Sequence, residues 1–119
     1  MSKKVRIINL TRERVLLEEA EVAGTFFRRL KGLLGRGGLP EGRGMLIKPC
    51  RAVHTVGMSF PIDVAFVDRE NRICFLLESL PPFRFSPAVR EASCVIEAPA
   101  GTFRQHQACE GDLLKVVEL

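Results

Sequence analysis

The 119-residue chain contains neither tryptophan nor tyrosine. Carbohydrate platforms usually exploit such amphipathic rings, so a sugar-binding reading starts weak. Long apolar runs are missing too, since no stretch reaches the ~18 to 20 continuous residues that a membrane-spanning helix needs. The start, residues 1–10, is basic, but its apolar part breaks too soon for a secretory leader. A water-soluble chain with a cytoplasmic address and no membrane partner is therefore expected. The four cysteines, Cys50, Cys74, Cys94 and Cys109, include no CxxC pair and are sparse, so a disulfide framework is not implied. Free thiols are expected, with Cys74 and Cys94 in apolar runs where a thiol behaves as a small hydrophobe of the core. Neither a G-x4-G-K-[ST] loop nor a G-x-G-x-x-G opening a helix occurs, which disfavours a nucleotide-binding fold.

What is present suffices for one core: 46% of the residues are hydrophobic, and the length fits a single domain over 1–119. The net charge of +4 is unevenly placed. Arg28, Arg29, Lys31, Arg36, Arg43, Lys48 and Arg51 stand against the single acid Glu41, an excess that attracts phosphate or carboxylate groups or simply forms a solvated face.

Along the chain, 5–10 and 15–22 read as strands of a first hairpin. Thr25 offers an N-cap, and Phe26, Phe27, Leu30, Leu33 and Leu34 recur at helical spacing, so one helix is predicted there, stopped at Gly35. A Gly-rich loop follows over 35–44. Short strands are predicted at 45–47, 53–58 and 62–67, the last apolar on both faces and hence central. The polar turn 68–71 joins 62–67 to 73–77 as the clearest hairpin, and Pro81-Pro82 stops its second arm. Phe83 and Phe85 are placed in the core. A strand at 92–97, a short helix within 102–109 and a closing strand at 113–118 complete the pattern. Many short strands with one good helix predict a mainly β fold: a compact antiparallel β-sandwich or barrel with one short helix.

Four passages carry a resemblance. They are Lys31-Gly32-Leu33-Leu34-Gly35-Arg36; Gly44-Met45-Leu46-Ile47; Pro61-Ile62-Asp63-Val64-Ala65-Phe66-Val67-Asp68; and Val95-Ile96-Glu97-Ala98-Pro99-Ala100-Gly101 followed by Gly111-Asp112. In this order and spacing the chain resembles the domain of unknown function 192 family. The resemblance implies a compact β-sandwich or barrel and no established reaction, cofactor or metal. Where many members resemble Trp-Met-Lys-Asn-Thr, this chain has His54-Thr55-Val56-Gly57-Met58, so no ligand contact of that tryptophan carries over.

Asp63 opens an apolar run in which an ionised carboxylate is costly unless paired. His54 or an arginine of the basic segment is the expected partner; a purely structural ion pair or turn cap is the plainer alternative. Cys50, His54 and Asp63 also hold the residue types of a thiolate nucleophile, its base and an orienting acid. Cys50-x3-His54 and His106-x2-Cys109 have zinc-chelating spacing but lie far apart, and no metal is expected. Nucleic-acid binding through the basic segment with Phe83 and Phe85 stays behind a small-ligand reading, because no RNP-like motif occurs. The reading is a non-enzymatic or accessory β-domain that binds a small anionic ligand or a protein segment. Arg29, Arg36, His54 and Asp63 orient the ligand, and Phe66, Phe75 and Ile96 form the core beneath. A cysteine-dependent enzyme using Cys50 and His54, or a weak RNA-binding module, are the alternatives.

Overall fold

A computed structural model describes residues 3–24 and 37–119 of the protein. The helix predicted from Thr25, with Arg29 and Arg36, lies outside the described residues. The period-two pattern at the start becomes β1 (Lys4–Asn9), which buries Val5, Ile7 and Asn9 and turns Lys4, Arg6 and Ile8 outward. Through a polar turn it pairs antiparallel with β2 (Arg14–Ala23), the predicted first hairpin. There follow β3 (Arg43–Ile47), β4 (Ile62–Val67), β5 (Ile73–Leu80), β6 (Cys94–Pro99), the short helix α1 (Thr102–Gln105) and β7 (Leu114–Glu118).

The seven strands form one sheet in the order β5-β4-β6-β3-β2-β1-β7. Every neighbouring pair is antiparallel except β2–β3, which run parallel. The sheet curls into a half-barrel. At one end it closes on itself, for Arg72 bridges Leu113, the Ile73 amide donates to the Asp112 carbonyl at 2.9 Å and the Leu114 amide to the Asn71 carbonyl at 2.8 Å. The concave face buries one core drawn from all seven strands and α1, including Ile7, Leu17, Ala65, Ile96, Phe103 and Leu114. The convex face carries a second core of Met45, Ile47, Val64, Phe66 and Val95, covered by the loops 48–61 and 81–93.

β4 is buried at every position, as its unbroken apolar run requires, although it lies between β5 and β6, one place in from the edge. Phe66 and the half-buried Phe75 pack on the convex side with ring centroids 5.8 Å apart, while Ile96 belongs to the concave core. Gly44 is where β3 and β6 press together: a Cβ there would run into the Glu97 carbonyl and the Leu17 side chain. Among the described residues no helix is long and apolar enough to cross a membrane.

The closed end is locked by a buried carboxylate. Asp112 Oδ2 accepts from Asn9 Nδ2 at 2.9 Å, from the Cys109 amide at 2.9 Å and from Arg12 Nε at 3.2 Å. Asn9 Oδ1 in turn accepts from the Arg12 amide at 3.2 Å, so the β1–β2 turn and the approach to β7 share one network. Burial opposes the Asp112 charge, but the bonds from Asn9, the Cys109 amide and Arg12 outweigh it and hold the carboxyl below its ordinary range.

Three local expectations are corrected. Residues 53–58 do not join the sheet: they cross its convex face, touching strand geometry only where His54 bridges Phe85, and Gly57 turns them with φ 88°. The helix within 102–109 is confined to Thr102–Gln105, because Gln107 turns left-handed at φ 58°. Cys74 and Cys94 sit half-buried at the margins of the two cores. Burial pushes the Cys94 thiol up to about 11 and raises that of Cys74, so both remain protonated thiols near neutrality.

Candidate functional site

Asp63 lies between Ile62 and Val64, whose side chains enter the convex core, so its own carboxylate points to the concave side. It is fully buried. Oδ1 accepts from the Ser79 amide at 2.8 Å; Oδ2 accepts from the amides of Gly101 at 3.1 Å and Phe103 at 3.0 Å. Among the described residues these three N–H groups are its hydrogen-bond partners, where the sequence predicts a cation. Two of them belong to the start of α1, whose first amides have no partner within the helix. The carboxylate thus ties β4 to the irregular end of β5, where Ser79 has φ 52°, and to the helix whose Phe103 fills the concave core. The turn-cap alternative describes this geometry.

His54 lies on the other side of the sheet. Its neighbours Val53 and Met58 are buried in the convex core, while its half-buried ring is tilted 45° against Phe85 with centroids 5.9 Å apart. The His54 Nδ1 atom accepts from the Val56 amide at 3.2 Å. His54 and Asp63 are thus not brought to one surface, and Arg29 and Arg36 fall outside the described residues. The two chelating pairs separate as well: His106 follows α1 beside Glu18 and Glu41, whereas Cys50 and His54 belong to the convex loops.

Thr55, fully buried, organises the loop opposite. Its amide donates to the Arg84 carbonyl at 2.9 Å, its carbonyl accepts from the Phe83 amide at 3.0 Å, and its hydroxyl accepts from the Arg84 amide at 2.9 Å and donates to the Pro81 carbonyl at 2.6 Å. The result corrects the placement of two aromatic residues. Phe83, held at a left-handed φ of 60°, is 65% exposed and Phe85 is 75% exposed, with the exposed Arg84 between them. The inward places of this layer are taken by Val53, Met58 and Val89.

At the other end of the same two loops lies a cleft of about 400 Å³ lined by Pro49, Cys50, Arg51, Arg69, Ala92 and Ser93. Main-chain bonds shape it: the Cys50 amide donates to the Ser93 carbonyl at 3.2 Å and the Val89 amide to the Arg51 carbonyl at 2.8 Å. Arg51 Nε donates to the Ala92 carbonyl at 3.2 Å, which anchors the guanidinium to the wall. The Cys50 thiol donates to the Ala52 carbonyl at 3.1 Å, so its proton is engaged by a neutral acceptor. The two loops are cationic, carrying Lys48, Arg51, Arg84 and Arg90 against the single acid Glu91. Arg51 belongs to the basic segment visible in the sequence. Arg69 reaches the cleft only because the β4–β5 turn packs beside residues 49–51, for which no local signal exists.

None of the curated proteins matches the chain. Two crystal structures share its fold. One is a candidate transcription regulator from Sinorhizobium meliloti 1021, with a TM-score of 0.79 and 23% identity, covering 98% of this chain and 94% of that one. The other is a protein of unknown function from Novosphingobium aromaticivorans DSM 12444, with a TM-score of 0.79 and 24% identity over 94% of this chain and 83% of that one. At such identities these likenesses establish the architecture alone. The family model DUF192, "Uncharacterized ACR", matches residues 7–116, nearly the whole curled sheet with α1 and its convex loops, and the chain belongs to that family.

Proposed function

We propose that the protein is a non-catalytic binding domain for a small anionic ligand, held in the cleft between Arg51 and Arg69. The observation that carries this reading is the presence of two arginines lining one cavity large enough for a phosphate or carboxylate compound. Arginine suits the task because its planar fork of donors matches both anions. Ser93 adds a polar group to the same wall. His54 lies further along the loop that carries Cys50 and Arg51, and Asp63 lies at the opposite end of β4, so neither lines this cleft. A cysteine-dependent reaction is the competing reading, favoured by the position of Cys50 on the cleft wall.

Calorimetric titration with inorganic pyrophosphate tests the placement. Each charged hydrogen bond contributes about 1.5–3 kcal/mol, so the double variant Arg51→Gln, Arg69→Gln should bind at least tenfold more weakly. Equal affinity in the variant and the parent protein would remove the anion from this cleft. Pyrophosphate binding that is lost on Cys50→Ser alone would favour the thiol reading instead.

A further inference from the structure

We infer that the cleft takes its anion as one phosphate of a single-stranded nucleic acid rather than as a free small molecule, with unpaired bases of the same strand stacked on Phe83 and Phe85. This rests on the anion-cleft reading and names its ligand class. The first support is the exposure of both rings, at 65% and 75%, on a loop that the protein holds in place by the hydrogen bonds of buried Thr55. Apolar rings exposed in this way offer π-surface to solvent, which every base can use irrespective of sequence.

The second support is charge. Arg84 separates the two rings in sequence, Arg51 and Arg69 line the cleft at the other end of the same two loops, and Lys48 and Arg90 lie in that loop layer, whose one acid is Glu91, while Asp68 and Glu70 flank Arg69 in its turn. Rings interleaved with guanidinium groups match a polyanion that carries a flat base on every unit. Arginine and aromatic residues are enriched in protein–protein interfaces as well, so the oligonucleotide titration and its salt slope decide between the two occupants. Phosphate contacts in the cleft would set the register of the strand, and the Phe85 ring backed by His54 would take a base further along it.

Fluorescence anisotropy with labelled oligouridylate and oligothymidylate 12-mers, and with a duplex of the same length, tests the inference. Both single strands should bind more tightly than the duplex, with affinity falling as salt rises at a log–log slope of about −1.4 to −2, as two or three phosphate contacts require. The double variant Phe83→Ser, Phe85→Ser should bind single strands at least tenfold more weakly while retaining its pyrophosphate affinity. Arg51→Gln, Arg69→Gln should weaken both and flatten the salt slope. If pyrophosphate binds and neither single strand does, the nucleic-acid inference fails and the cleft reading stands. Failure of both probes ends both. Single-strand binding that is indifferent to the loss of the rings overturns the stacking. So does sedimentation showing a dimer that the ring variant dissociates, without any nucleic-acid affinity, since the rings would then face a second copy.

Discussion

Asp63→Ala is expected to lower the thermal unfolding midpoint by about 15 °C, the largest effect of any single substitution considered. The carboxylate accepts three amide protons, from Ser79, Gly101 and Phe103, in a fully buried position. Removing it strands those donors, each at a cost of about 1–3 kcal/mol, partly recovered if water enters the vacated space. A net loss of about 4 kcal/mol follows, and for a domain of this size each kcal/mol shifts the midpoint by about 4 °C. Asp63→Asn should lose roughly half as much, because the amide oxygen can still serve the two α1 donors while its NH2 faces Ser79. Calorimetry reads both. A midpoint for Asp63→Ala within about 3 °C of the parent protein would mean that the three amides find other acceptors.

Asp112→Ala should cost about 3 kcal/mol at neutral pH, and the cost should shrink in acid. Oδ2 receives Asn9, the Cys109 amide and Arg12 together, so truncation breaks the lock at the closed end of the half-barrel. The carboxyl is held below its ordinary range in the folded state. A depressed folded value means that the ionised group stabilises the fold fully above the unfolded value, about 4, and that this contribution fades as pH falls through the lower folded value. Urea denaturation at pH 7 and pH 3 should show the gap between parent and variant narrowing at the lower pH. A gap that stays constant over that interval would contradict the assignment.

What could be read from the residues alone follows the distance over which each feature is decided. The β4–β5 hairpin was legible because its causes are local: an apolar run, a polar turn, and Asp68 Oδ1 accepting from the amides of Glu70 at 2.9 Å and Arg72 at 3.0 Å. The burial of Asp63 was equally legible, since a carboxylate within an apolar run has few other fates. Its partners were not, because backbone amides have no sequence signature and these come from chain positions far from Asp63. Residues 53–58 show an extended, apolar pattern, but such a pattern does not say whether the segment joins a sheet or lies across one. Phe83 and Phe85 were misplaced for a related reason. Aromatic rings usually go inside, and here their direction is dictated by Thr55, a hydroxyl residue on another loop. The pairing of Arg51 with Arg69 depends on tertiary packing alone.

The bonds of Thr55 bear on the timing of the proposed recognition. Segments left loose until a visitor arrives must surrender their freedom on contact, and affinity suffers by that amount. On this face the ordering is complete once the chain has folded, because Thr55 and the neighbouring amides already fasten the two connecting stretches to each other. The ligand proposed above would meet a shape that these bonds already set, and discrimination among candidates would then rest on how well each fits it.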